Sequence, residues 1–219
     1  MRAPQFNDPL CMPGTGRNAG QLLELAEPLA GTPGAAYVER RGIPLHIAEE
    51  AGVRFASDFG GRPAVLVAMR DHRGAVALVH GRYLHTARNQ NKMLTVGPGG
   101  GMVSVLEGWH AEPLIIVEGL FDALSLAACG WPCAATVGRW APWLPAVTQG
   151  RTVWLAFDSA RAADAEAERY RERLHGASLL RLRPPGRSKD WNTALVKLGI
   201  PSLARWLREA LNTGNRIAT

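Results

Sequence analysis

Leu114-Ile-Ile-Val-Glu-Gly-Leu-Phe-Asp122 decides how this chain is read. Its first four residues are a continuous apolar run of the kind buried on both faces of a parallel sheet. Glu118 follows at once, a carboxylate at the carboxyl end of a strand, and Ala123 to Ala128 continues as a helix. The alternation recurs downstream. Cys133 to Val137 is a second strand of small residues, Thr152-Val-Trp-Leu-Ala-Phe157 a third and Ser178 to Leu182 a fourth. A charged helix from Arg161 to Leu174 separates the last two, and helices around Trp191 to Leu198 and Ser202 to Leu211 follow. Strand and helix in alternation imply right-handed crossovers and a parallel sheet with helices on both faces.

In such a sheet the ligand site lies beyond the carboxyl ends of the strands. Glu118 stands directly after the first strand, Asp158 after the third, and Asp190 in the loop after the fourth, beyond Pro184-Pro-Gly186. Taken alone, each carboxylate is more simply a helix cap or first-turn acid, a role open to Asp190 before Trp191. Their convergence on one edge favours a metal site, because Mg2+ takes oxygen ligands and keeps several waters. Such an ion polarises a phosphoryl oxygen and activates an attacking hydroxyl.

Upstream the pattern differs. Residues 1–19 lack periodicity and read as an irregular arm. Gln21 to Ala30 has helical spacing of Leu22, Leu23, Leu25 and Leu29; Thr32-Pro33 opens a second helix running to Arg41, which Gly42 ends, and Pro44 starts a third through about Ala51. Ala64 to Arg70 and Ala75 to Val79 form a hairpin around Asp71-His-Arg-Gly74, continuing into Gly81-Arg-Tyr-Leu84. The passage from Thr86 to Gly101 reads as a long polar loop ending at a strand from Met102 to Leu106. The expected organisation is an arm at 1–19, a smaller α+β subdomain at 20–110, an α/β domain at 111–200 with a Rossmann-like parallel sheet, and a C-terminal helix and tail at 201–219.

The 219 residues are 47% hydrophobic and 20% charged, a globular composition. No apolar run approaches the roughly 18 residues of a membrane span, and no secretory leader is visible, so a cytoplasmic protein without a membrane partner is expected. Lys and Arg outnumber Asp and Glu by 25 to 19, a balance that suits a polyanionic partner. Cys11, Cys129 and Cys133 cannot make a disulfide framework, and Cys129-Gly-Trp-Pro-Cys133 has the wrong spacing for a zinc knuckle, so buried thiols are expected. Gly97-Pro-Gly-Gly-Gly101 lacks the Lys-Ser/Thr of a phosphate cradle and reads as a flexible loop. The seven tryptophans invite base stacking, but their spacing favours core packing.

Three segments in order resemble the motifs of Toprim domains. Ile116-Val-Glu-Gly-Leu-Phe-Asp122 resembles Glu-Gly-x-x-Asp, Phe157-Asp158 before a charged helix resembles Asp-x-Asp, and Lys189-Asp-Trp-Asn192 resembles the Lys-Asp-x-Asp/Asn of primases. Upstream, Tyr37-Val-Glu-Arg-Arg-Gly42, Asp71-His-Arg-Gly74, Gly81-Arg82 and Asn91-Lys-Met-Leu94 are similar to elements of the N-terminal subdomain of bacterial, DnaG-like primase cores. The likeness covers about residues 33 to 198. It implies a Toprim fold and synthesis of RNA primers on single-stranded DNA from nucleoside triphosphates. It further implies Mg2+ or Mn2+ at Glu118, Asp158, Asp190 and Asp122, with catalysis at the first three. Nucleotide or nucleic-acid contacts would come from Arg82, Lys92, Gly119, Lys189 and Asn192.

The family's second Asp falls where this chain has Ala160. Two readings stay open, a naturally degenerate site or an inactivating substitution, and the intact neighbouring motif favours the second. The chain also shows neither a Cys/His zinc module nor a G-x-x-x-x-G-K-[ST] helicase signature. A helicase or separate template-recognition partner is therefore expected, and a phage, plasmid or other mobile-element origin. Two other uses of the acidic cluster are a Toprim nuclease, against which the upstream likeness argues, and a non-catalytic nucleic-acid-binding or replisome module, supported by Ala160. Topoisomerase chemistry needs a nucleophilic tyrosine from a further domain, and Tyr37, Tyr83 and Tyr170 are not in such a setting.

Overall fold

A computed structural model describes residues 17–217; the expected arm, up to residue 16, and Cys11 lie outside the described residues. Helix α1 (Ala19–Glu24) begins at Asn18, whose Oδ1 accepts the Gln21 N–H at 3.1 Å while Gln21 Oε1 accepts the Asn18 N–H at 3.0 Å. This reciprocal pair is a capping box. The helix stops short of the expected Leu29, because Pro28 has no N–H and its ring would clash with the turn before it. Glu27–Pro28 instead forms the edge strand β1. Helices α2 (Pro33–Glu39) and α3 (Leu45–Glu50) follow as expected.

Strands β2 (Arg54–Ala56), β3 (Ala64–Arg70), β4 (Val76–Tyr83) and β5 (Met93–Val96) complete a five-stranded antiparallel sheet in the order β1-β2-β3-β4-β5. The sequence reading places β5 inside a polar loop. It is a four-residue edge strand with only Val96 buried, so it carries almost no hydrophobic signature. On one sheet face Leu66, Val79 and Tyr83 pack with Phe59 and with Ala19 and Leu22 of α1. On β4, therefore, His80 and Arg82 point to the other side. Gly81 makes the first packing feasible: a Cβ there would stand 2.2 Å from Phe59 Cε1 and 2.8 Å from Leu66 Cδ2.

The second sheet contains β6 (Val103–Val105), β7 (Leu114–Val117), β8 (Cys133–Ala135), β9 (Thr152–Leu155) and β10 (Ser178–Arg181), in the order β10-β9-β7-β8-β6. The pairs among β7 to β10 are parallel and β6 runs antiparallel to β8. Thus β6, expected upstream of the boundary at 110, is a strand of this sheet. Reciprocal bonds between Arg70 and Met102, at 2.8 and 2.9 Å, stitch the two sheets together just before it.

Alternate residues of β7 and β9 serve opposite faces. Ile115, Val117 and Trp154 pack with α4 (Leu120–Ala128) and α7 (Trp191–Ile217), whereas Leu114, Ile116, Val153 and Leu155 pack with α6 (Arg161–Arg173). A short helix, α5 (Leu144–Thr148), precedes β9. The two expected C-terminal helices are both present, labelled together as α7 and separated at Gly199, whose φ of 73° is left-handed, beside Pro201. Cys129 and Cys133 are free and buried. Among the described residues no helix is long and apolar enough to cross a membrane.

Gly81→Ala is expected to destabilise the fold by about 1–3 kcal/mol through overpacking against Phe59, lowering Tm by roughly 2–4 °C per kcal/mol. An unchanged melting curve would show that Phe59 can swing aside.

Candidate active site

A cleft of about 400 Å³ opens where the carboxyl ends of β7 and β9 meet β4 and the loop before β5. Arg41, His80, Arg82 and Lys92 line it from one side, and Glu118, Gly119, Asp122, Asp158, Lys189, Asp190 and Asn192 from the other. Every residue expected from the sequence to bind metal, nucleotide or nucleic acid thus borders one cavity, while Ala160 is not among its lining residues. Arg41 and His80, to which the sequence assigns no site role, border it as well.

The carboxylates are held by backbone groups from one another's loops. Glu118 Oε1 accepts the Asp158 N–H at 3.0 Å, and the Ser159 N–H donates to the Lys189 carbonyl at 2.8 Å. Asp190 Oδ1 accepts the Thr193 N–H at 2.7 Å, so Asp190 caps α7 as well as facing the cleft. Lys189 Nζ lies 3.3 Å from Asp190 Oδ2. Burial raises the Glu118 carboxyl above its ordinary value. Burial, then repulsion from Glu118 and Asp190, pushes Asp158 up to about 6. Burial acts upward on Asp190 too, but Thr193 and Lys189 hold it below the ordinary range. Asp158 Oδ1 is buried without a hydrogen-bond partner.

Two of these residues also bond within the protein. Asp122, in the first turn of α4, is 9% exposed, and its Oδ1 accepts the N–H groups of Trp191 at 2.9 Å and Asn192 at 3.3 Å. Burial, then Asp158 and Asp190, pushes its carboxyl up to about 7. Gly119 provides the space, since a Cβ there would lie 2.7 Å from Asp122 Oδ2. The buried Asn192 accepts from Arg41 Nη1 at 3.0 Å and donates to the Arg41 carbonyl at 2.9 Å and to Ser125 Oγ at 3.0 Å. Both polar side chains make bonds within the protein while bordering the cleft.

On the basic side, Arg41 lies 4.1 Å over the Phe121 ring and its Nη2 donates to the Tyr37 hydroxyl at 3.0 Å. Arg82 Nε donates to the same hydroxyl at 3.4 Å. One phenol therefore holds two guanidiniums at the cleft. Lys92 is exposed. His80 Nδ1 is 3.0 Å from Thr95 Oγ1, and burial, then Arg82 and Arg139, lowers its pKa to about 3. Its imidazole is neutral at physiological pH.

Among the described residues no three His, Cys, Asp or Glu side chains form a ready-made metal cage. Mg2+ does not require one: it is commonly held by one or two carboxylates, waters and substrate phosphates. The orphaned Asp158 Oδ1 beside Glu118 suits that arrangement. Ala160 is exposed at the N-cap of α6, where no side chain caps the helix.

Residues 115–195 match a family model described as Toprim-like. This segment is a Toprim-like domain. Residues 14–104 match a model described as a domain of unknown function, DUF7146. The fold is that of DnaG-type primase catalytic cores. The zinc-binding and RNA polymerase domains of the Aquifex aeolicus primase superpose with a TM-score of 0.65 at 16% identity over 89% of this chain, which spans 59% of that one. The E. coli primase catalytic core gives 0.62 at 20% identity, over 86% of this chain and 77% of that one. The primase fragment of the bacteriophage T7 primase-helicase gives 0.55 at 17%, over 73% and 68%. No curated protein sequence matches the chain.

Asp122→Ala leaves two buried N–H groups unmet and is expected to cost about 1–3 kcal/mol in denaturant unfolding, whereas Asp122→Asn keeps the accepting oxygen and stays within about 1 kcal/mol of the native chain. Equal losses for both would place the charge, rather than the cap, in the structural role. For Asp158 the folded pKa is raised, so its contribution is fully present below the ordinary value of 3.8 and is lost as the pH rises through about 6. In metal-free buffer, Asp158→Asn should gain Tm over the native chain across that window and plateau above it. A gain independent of pH would refute the assignment.

Proposed function

We propose that the chain is the catalytic core of a DNA-dependent primase, a nucleotidyltransferase that joins ribonucleotides on single-stranded DNA. The observation that carries this reading is one cleft with carboxylates on one wall and arginine and lysine on the other. In it, residues 20–110 supply most of the basic wall and residues 111–200 the acidic edge. Glu118, Asp158 and Asp190 carry the reaction, and Arg41, Arg82 and Lys92 bind template or triphosphate oxygens. Lys189, with its ammonium largely exposed beside Asp190, extends that binding across the acidic side. Asp158, Glu118 and Asp190 would hold Mg2+ or Mn2+, which would supply a Lewis acid for the phosphoryl oxygens. The protein's own part is orientation and preorganised charge.

Solved structures of the same fold support these partners: one DnaG catalytic domain is bound to single-stranded DNA, and the T7 fragment belongs to a primase-helicase. A helicase or a separate template reader is the partner this reading calls for, with cytoplasmic replication as its setting and a phage, plasmid or other mobile element as its source. Ala160 favours a second reading, a non-catalytic nucleic-acid-binding module, because it removes one carboxylate from the edge.

Primer synthesis on single-stranded DNA, with ribonucleotides and Mg2+ or Mn2+, decides between them. Ala160→Asp is expected to exceed the native chain by about tenfold or more, a difference of roughly 1.4 kcal/mol in barrier, and adding Asp158→Asn to abolish synthesis. Nicking without synthesis would establish a nuclease, and salt-dependent binding without either would establish the binding module. Separately, Arg82→Ala and Lys92→Ala should each weaken single-stranded DNA binding and reduce its log–log salt slope by about 0.7; an unaltered slope would remove that residue from the nucleic-acid path.

A further inference from the structure

Arg181 ends β10, the edge strand of the second sheet, yet its side chain is only 8% exposed. A guanidinium so enclosed has to be met by acceptors. Nη1 donates to the carbonyls of Leu155 at 3.1 Å, Phe157 at 2.8 Å and Leu182 at 2.6 Å. Nη2 donates to the Asp158 carbonyl at 2.6 Å and to Asp164 Oδ1 at 3.1 Å, and Nε reaches the same Oδ1 at 3.3 Å. Leu155 closes β9, so the carbonyls of Phe157 and Asp158 lie past the end of the β9–β10 ladder. Asp164 stands in the first turn of α6. One planar group therefore ties the end of β9 to the start of α6, with Asp158, Ser159 and Ala160 between its anchors.

We infer that Arg181, with Asp164 as counter-ion, is the positioning residue for Asp158, setting the backbone whose N–H meets Glu118 and from which the carboxylate faces the cleft. The inference rests on the metal-dependent reading of the cleft proposed above. A merely electrostatic role does not explain the arrangement. Arg183 also bonds Asp164, at 2.9 Å and from an exposed position, so Asp164 has a second cation. The carbonyl contacts at Phe157 and Asp158 are made by Arg181. They need the rigid fork of arginine: lysine keeps the charge, but its single ammonium cannot span carbonyls on both strands and the carboxylate on α6.

The test is calorimetric titration of the full chain with Mn2+ alone, accompanied by thermal melting, for the native protein, Arg181→Lys, Asp158→Asn and the double variant. Outer-shell partners of metal ligands typically contribute 10–100-fold to affinity, so Arg181→Lys is expected to weaken Mn2+ binding about tenfold or more. In the Asp158→Asn background the same change should have no further effect on Mn2+, because the residue acts through Asp158. If Arg181→Lys does not fold, Asp164→Ala, which loosens the same clamp from its exposed end, is read in its place and should shift affinity in the same direction. A lowered Tm with unchanged Mn2+ affinity overturns the positioning role and leaves the reading of the cleft intact. A native chain whose Mn2+ binding is indifferent to Asp158→Asn overturns the reading of the cleft, and the positioning role with it.

Discussion

A carboxylate can lie beneath a sheet edge, cut off from water, only where hydrogen-bond donors meet it. Asp122 is met by the first N–H groups of α7, at Trp191 and Asn192, the end of that helix whose dipole favours negative charge. Much else follows from this contact. It seats the start of α7 against α4, which places Lys189 and Asp190 beside Glu118 and Asp158. It orients Asn192, one residue along, so that its amide clasps both Arg41 and Ser125. It also accounts for Gly119, because any side chain there would occupy the space of the Asp122 carboxylate. Helix capping, domain docking and site assembly are thus one packing problem.

The acidic edge built around this contact is under electrostatic load. Burial raises Glu118, burial and then repulsion from neighbouring carboxylates raise Asp122 and Asp158, and Thr193 and Lys189 hold Asp190 below the ordinary range. The loops withstand that repulsion because backbone bonds hold them: Asp158 to Glu118, Ser159 to Lys189, and the Phe157 and Asp158 carbonyls to Arg181. Such an edge favours a cation or donor-rich ligand over an empty cavity, a common trade of stability against function. Ala160 eases the repulsion by one carboxylate, but it also leaves the start of α6 without a side-chain cap.

Across the cleft the opposite problem is solved with an aromatic group. Tyr37 receives hydrogen bonds from both Arg41 and Arg82, and Phe121 lies beneath the Arg41 guanidinium. Two cations are thereby fixed close together without a carboxylate neutralising either at that hydroxyl. Gly81 contributes from behind, since the close approach of Phe59 seats the strand that carries Arg82.

The alternation of strand and helix after Leu114 was legible because apolar runs and crossover helices have periods that few other arrangements share, and the carboxylates at strand ends followed from that topology alone. The upstream hairpin was legible for the same reason. β5 and β2 were not, since short strands with mixed exposure leave no periodicity, and the pairing of β6 with β8 was not, because pairing partners are not written in local sequence. Nor could residue type reveal that Asp122 and Asn192 spend their polar atoms on α7 and Arg41, or that Arg181 reaches back to the Asp158 backbone. Sequence supplies the kinds of groups at an edge; which donors each group meets depends on residues 23 to 151 positions apart coming into contact, and packing alone sets those distances.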